Sequence, residues 1–255
     1  PGMKIAISGK GGVGKTTIAA LITRLLIEEG QEVLAIDADP ATNLAFTLGF
    51  PQAIVKNLVP LKERTDIIEE RVGKKGDFFR LNPQVDDLLA KLAVEYQGIK
   101  LIVMGTIKEA GGGCACPENT LLRAFINHLL LEEGEAVVID MEAGLEPLGR
   151  KTVEAVDALL IVVEPSPNSI MVAQKIKVLA EGLGIKKAFF VANKIISKEE
   201  ELFIQSRLPE EQLLGCLPYH EALRKQPIPE FTLLSRNALI GSELKSLLGR
   251  LWLKG

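Results

Sequence analysis

Gly9-Lys10-Gly11-Gly12-Val13-Gly14-Lys15-Thr16-Thr17 follows the apolar run 4–8 and leads directly into a helical stripe. The stretch matches G-x-x-x-x-G-K-[ST] in a strand, loop, helix setting, the context in which that pattern holds nucleotide phosphates. Its glycines let successive backbone N–H groups turn toward phosphate oxygens, and the following helix adds the positive end of its dipole. On this reading Gly11, Gly12, Val13, Gly14, Lys15, Thr16 and Thr17 hold the phosphates of a bound nucleotide. The Lys15 ammonium neutralises the β- and γ-phosphates, and the Thr16 hydroxyl ligates Mg²⁺.

Outward from the loop, a helix is expected over 16–29. Ile18, Leu21, Ile22, Leu25 and Leu26 recur at helical spacing there, and Gly30 supplies the left-handed residue that ends it. Short β-branched runs at 4–8, 32–37, 101–104, 136–140, 158–163, 188–191 and 213–217 alternate with helical stretches. Uninterrupted apolar strands separated by helices imply a single α/β domain with a mostly parallel sheet, helices on both faces, and ligands beyond the carboxyl ends of the strands. The domain is expected to span 3–255, with Pro1 and Gly2 ahead of Met3 read as an added remnant. Residues 50–76 form an irregular excursion or a short helix on this reading.

The 255 residues are 47% hydrophobic and 25% charged, enough to bury a sizeable core, and the formal net charge is −3. That balance gives no broad basic surface for neutralising phosphate backbones, so no nucleic-acid partner is expected. Three cysteines and no apolar run long enough to span a bilayer indicate a reduced, cytoplasmic setting.

Lys10 resembles the extra lysine of the "deviant" Walker A motif in the MinD, ArsA and nitrogenase iron protein group of ATPases. That resemblance implies a homodimer in which Lys10 reaches the partner's nucleotide. Asp37-Ala38-Asp39-Pro40 puts two carboxylates at the ligand edge of the sheet, and the resemblance gives Asp39 the attacking water and Asp37 a place near the Mg²⁺ water shell. Asp140-Met141-Glu142-Ala143-Gly144 ends its strand like a Walker B, with Asp140 holding a metal-bound water and the Gly144 N–H sensing the γ-phosphate. Asn193-Lys194 looks like the base-recognition corner of the group. Guanine-specific relatives continue with an aspartate two residues later, where this chain has Ile196, so adenine is the expected base. Pro218 falls where the group packs backbone against that base.

Gly111-Gly112-Gly113-Cys114-Ala115-Cys116-Pro117 precedes a helix expected over 117–131. Two thiols near a helix N-terminus are favoured as thiolates, which bind soft or borderline metals. One C-x-C supplies two ligands and a structural zinc takes four, so a symmetric dimer that joined two pairs would complete a four-sulfur site. Four thiolates suit Zn²⁺ tetrahedrally and Ni²⁺ in square-planar form. Two other readings stay open: small apolar residues in a turn, and a strained vicinal disulfide. Cys216, inside an apolar run, reads as a core residue.

Together with Leu217-Pro218-Tyr219-His220-Glu221, these motifs resemble the CooC-type ATPases over nearly the whole chain. The resemblance implies ATP-dependent dimerisation, Ni²⁺ or Zn²⁺ shared by Cys114 and Cys116 of both chains, and a nickel enzyme as client, carbon monoxide dehydrogenase or acetyl-CoA synthase. One alternative is a MinD-like positioning ATPase with membrane readout through the stripe Ile240, Leu244, Leu247, Leu248 and Leu251, which would otherwise pack on the sheet. The other is an iron–sulfur electron donor, against which stands the lack of any cysteine over 141–149.

Overall fold

In the computed structural model of the chain the described residues are 2–39, 43–73, 80, 84–85, 87–105, 117–129, 134–142, 156–224 and 238–253. Each of the apolar runs becomes a strand, and one short amphipathic run joins them. The strands are β1 (Met3–Gly9), β2 (Glu32–Ala38), β3 (Val94–Tyr96), β4 (Ile99–Val103), β5 (Glu135–Met141), β6 (Ala158–Val163), β7 (Ala188–Ile195) and β8 (Leu213–Pro218). They form one eight-stranded sheet in the order β3-β4-β2-β5-β1-β6-β7-β8. Every neighbouring pair is parallel except β3 with β4.

Both faces of the sheet are buried, and alternate side chains serve two separate cores. Ile5 and Ile7 of β1, Val33 and Ala35 of β2, and Leu160 and Val162 of β6 pack with the first helix, Lys15–Glu28. Ala6, Leu34, Ile36, Leu159 and Ile161 face the other way, toward Leu121 and Phe125 of helix Pro117–His128 and Ile170 and Ile176 of helix Pro167–Gly182. This two-sided burial is why the strands read as continuous apolar runs rather than as alternating ones.

The first helix ends where its sequence says it should. Gly30 takes φ 82, its N–H donates to the Ile27 carbonyl, and that of Gln31 donates to the Leu26 carbonyl. Arg24 is an unforeseen strut in this helix, only 2% exposed. Its guanidinium donates to the Gln97 Oε1 at 2.8 Å and to the Leu48 carbonyl, tying the helix to the β3–β4 turn. That turn is itself unforeseen: Gln97 and Gly98 both take left-handed backbone, φ 50 and 76, and close a two-residue antiparallel hairpin. The 50–76 excursion contains the short helices Gln52–Val55 and Thr65–Arg71 and a 3₁₀ turn, Leu61–Glu63, within its described residues.

The C-terminal helix, Ala238–Leu253, packs Ile240, Leu244, Leu247, Leu248 and Leu251 into the same core as the first helix, all of them buried. The apolar stripe is therefore occupied by the fold and is not offered to a membrane surface. No helix among the described residues is long and apolar enough to cross a membrane.

Leu244 is fully buried whereas Leu253 is 88% exposed. Leu244→Ala is expected to lower unfolding stability by about 2–5 kcal/mol, as cavity-forming core truncations do, and Leu253→Ala to change it by less than about 0.5 kcal/mol. Urea denaturation followed by circular dichroism checks both, and equal effects would place the stripe outside the core.

Candidate active site

The motif residues collect at the carboxyl edge of the central strands because β1 lies between β5 and β6, with β2 beyond β5. Register does the rest. Asp37 of β2 lies directly beside Asp140 of β5, and Asp140 lies beside Ile7 of β1, two residues before the glycine that opens the loop.

The loop is shaped by what surrounds it. Gly9 has φ 151, and a Cβ there would stand 2.5 Å from the Val162 carbonyl oxygen of β6. Gly14, at φ 98, is the N-cap of the first helix, and a Cβ on it would meet the Asn193 Nδ2 at 2.5 Å. That side-chain amide instead donates to the Val13 carbonyl at 2.8 Å. Asn193 is 8% exposed, so it reads out the loop backbone from inside the protein. The Asn193-Lys194 pair was expected just after a strand; β7 in fact continues through it to Ile195, with a register irregularity against β8 in the same stretch. Lys194 takes left-handed backbone, φ 63, which is uncommon for a residue with a side chain, and its ammonium donates to the Gly12 carbonyl.

The other lysines are equally engaged. Lys15, 7% exposed, donates to the Lys10 carbonyl at 3.3 Å, so its ammonium lies across the loop that it is expected to share with phosphate. Lys10 extends toward Glu164, with Nζ 3.7 Å from Oε1. Glu164 was missed in the sequence because it belongs to no motif; its only signal is position, one residue past β6 at the ligand edge.

The two buried aspartates are not equivalent. Asp37 is sealed from solvent, and its carboxylate accepts from the Asp39 N–H at 3.1 Å and the Leu44 N–H at 2.9 Å. Burial pushes its pKa up to about 6, with these N–H groups holding it down in part and the Asp39 charge adding to the rise. Asp140 is also sealed, yet neither of its oxygens completes a hydrogen bond, and burial lifts its pKa to about 8 despite the nearby Thr16 hydroxyl. An orphaned buried carboxylate beside Thr16 fits the water shell of a Mg²⁺ ion, a metal that keeps several waters and needs few protein ligands. No group of three or more His, Cys, Asp or Glu side chains among the described residues is placed to clasp a metal directly.

Pro218 closes β8, where the Tyr219 N–H donates to the Ile195 carbonyl at 2.8 Å. The strand is thus tied to the Asn193-Lys194 corner. Cys216 is half-buried beside the core, and burial pushes its thiol up to about 11, as suits an unreactive packing residue. A cleft of about 690 Å³ opens beside β8 and is lined by Glu201, Glu243, Cys216 and Arg250 among others. It touches the motif set only at Pro218, so it is distinct from the phosphate loop. Cys114, Cys116 and Gly144, together with Pro40, lie outside the described residues.

Over residues 4–230 the chain matches the CobQ/CobB/MinD/ParA nucleotide binding domain. It is 46% identical over 225 residues to the carbon monoxide dehydrogenase accessory protein CooC of Rhodospirillum rubrum, covering 87% of this chain and 86% of that one. It is also 46% identical over 230 residues to an uncharacterized ATP-binding protein of Methanocaldococcus jannaschii, covering 88% of each. Among solved structures, the MinD cell division protein of Aquifex aeolicus superposes with a TM-score of 0.66 at 23% identity, covering 98% of this chain and 97% of that one, a likeness of fold.

The raised carboxyls set a pH dependence with a definite sign. A carboxyl whose folded pKa exceeds its unfolded value of about 4 contributes stability that is fully present below that pH and is lost as pH rises through the folded pKa. For protein free of Mg²⁺ and nucleotide, the loss runs through about 6 for Asp37 and about 8 for Asp140. Asp140→Asn is therefore expected to melt above the wild type at about pH 9 and to lose that advantage near about pH 4, where the wild-type carboxyl is already neutral. Thermal melts across that range check it, and a variant less stable than wild type at the alkaline end would sink the assignment.

Proposed function

The chain belongs to the CobQ/CobB/MinD/ParA nucleotide-binding family of P-loop ATPases, and from that premise we propose that it is an ATP-dependent, homodimerising metallochaperone. Its role would be to assist nickel insertion into carbon monoxide dehydrogenase or acetyl-CoA synthase in the cytoplasm. The observation that carries this reading is the 46% identity, over 87% of the chain, to the Rhodospirillum rubrum accessory protein.

In this reading the backbone from Gly11 to Thr17 cradles the phosphates of ATP, and Lys15 exchanges the Lys10 carbonyl for phosphate oxygens. The Thr16 hydroxyl, with Asp140 and Asp37, would hold Mg²⁺, which would supply charge neutralisation of the β- and γ-phosphates. Asp39 positions the attacking water, Gly144 senses the γ-phosphate through its N–H, and Lys10 reaches the partner's nucleotide to complete each site. Asn193, Lys194 and Pro218 hold the base end. Water adds to the γ-phosphorus, the bond to the β-phosphate oxygen breaks, and ADP and phosphate remain. Loss of the γ-phosphate contacts then relaxes the dimer. Cys114 and Cys116 of both chains hold the cargo ion, Ni²⁺ or Zn²⁺, between the subunits until that relaxation hands it on. A C-x-C pair supports this use because its two thiolates make half of a four-coordinate site that two-fold symmetry completes.

Anaerobic light scattering with metal analysis, with and without ATP and Ni²⁺ or Zn²⁺, tests the reading. Wild type is expected to form a dimer with about one metal per two chains, as a shared four-thiolate site requires. Cys114→Ala/Cys116→Ala should dimerise with ATP but hold no metal. If neither protein holds metal, the cysteines are structural and the metallochaperone reading fails. Asp39→Ala should abolish phosphate release while leaving ATP binding and dimerisation; turnover within a factor of about two of wild type, little more than 0.4 kcal/mol of barrier, would remove Asp39 from the water-positioning role.

A further inference from the structure

Glu164 stands at the carboxyl end of β6 with its backbone fixed by two hydrogen bonds. Its N–H donates to the Ser169 Oγ at 3.0 Å and its carbonyl accepts from the Ser166 N–H at 2.7 Å. Ser166 in turn caps helix Pro167–Gly182, accepting at its Oγ from the Ser169 N–H at 3.3 Å. Ser169 is 1% exposed, so the turn that carries Glu164 is anchored in the protein. The carboxylate projecting from that turn meets two lysines, one on each oxygen. Lys10 Nζ lies 3.7 Å from Oε1, and Lys194 Nζ lies 3.6 Å from Oε2. Lys194 also donates to the Gly12 carbonyl, so the carboxylate, the loop and the β7 corner are linked through one ammonium.

From this geometry we propose that Glu164 is a positioning residue that parks Lys10 within its own protomer and thereby sets the ATP concentration at which two protomers pair. The inference rests on the reading in which Lys10 acts on the partner's nucleotide. To do so its ammonium must leave Glu164, and the carboxylate competes with the partner's phosphates for it. The shared arrangement makes release inexpensive, because Glu164 keeps its second oxygen on Lys194 when Lys10 departs. It also makes the restraint modest: Lys10 and Glu164 side chains are 33% and 25% exposed, so solvent and salt screen the pair. A partly exposed pair of this kind shifts an equilibrium by about two- to fivefold.

The test is light scattering of the full chain titrated with Mg²⁺ and a non-hydrolysable ATP analogue, alongside monomer affinity for ADP. Glu164→Gln is expected to dimerise at an analogue concentration about two- to fivefold below wild type, with unchanged ADP affinity, and the difference should disappear at about 0.5 M salt, where charges are screened within a few ångströms. A merely structural role for Glu164 predicts the opposite, weaker ADP binding and a higher threshold, and that result overturns the proposal, as does an unchanged threshold. Lys10→Ala separates the two levels of the argument. If it fails to dimerise while Glu164→Gln shows no gain, the action of Lys10 across the interface stands and the parking role falls; if it dimerises like wild type, both fall.

Discussion

Two carboxylates on neighbouring parallel strands, Asp37 and Asp140, stand in register and are fully closed off from water. Like charges so placed disfavour joint ionisation, and burial disfavours each separately. The arrangement is therefore tolerable only if one acid holds its proton or a cation enters. Asp37 is eased by two backbone N–H donors, and Asp140 has no completed hydrogen bond. That inequality gives the site a direction, because the acid left without partners lies on the strand next to β1 and beside the Thr16 hydroxyl. The sheet order serves the same end. Inserting β5 between β2 and β1 brings an acid from each of two strands beside the phosphate loop, which consecutive strand order would not do.

Much of this was legible from residue patterns. A parallel strand buried on both faces announces itself as an apolar run, and all seven expected runs became strands, with the phosphate loop and the first helix placed almost to the residue. The buried stripe of the C-terminal helix was legible as a stripe, but its destination was not. An amphipathic face suits a sheet or a lipid surface equally, and only the packing against the first helix and β8 decides between them. The β3–β4 hairpin escaped because three residues, half-exposed and alternating, carry little periodic signal. Its turn, moreover, is Gln97-Gly98 rather than the Asn-Gly or Asp-Gly pair that marks such turns.

Within the site, motif residues were legible and their supports were not. Asn193 was read as a base contact from its place in the chain, and nothing in the sequence says that its amide also donates to the Val13 carbonyl or that its bulk fills the space a Cβ at position 14 would need. Arg24 inside an otherwise apolar helix face gives no hint of partners that are 24 and 73 residues away. Glu164 is the same case at the surface: a single glutamate before a proline has no pattern, and its meaning comes from two lysines brought to it by different strands. Long-range pairing of this kind is a property of topology, which sequence periodicity encodes only through the strands themselves.

The cations of the site share one further property, that each already has an oxygen. Lys15 donates to the Lys10 carbonyl, Lys194 to the Gly12 carbonyl, and Lys10 and Lys194 divide the Glu164 carboxylate. A triphosphate entering this loop replaces internal acceptors instead of filling a void, so affinity is the difference between two sets of charge-assisted contacts rather than the sum of one. A neutral backbone carbonyl competes for an ammonium less than a carboxylate does, even where solvent keeps the ion pair modest. Lys15 and the loop should then yield to phosphate first, and Lys10 last, when, in the dimer proposed above, a second protomer offers it a polyanion. An order of that kind would make nucleotide binding precede pairing without any moving lid, through nothing more than the unequal strength of the oxygens the three lysines start from.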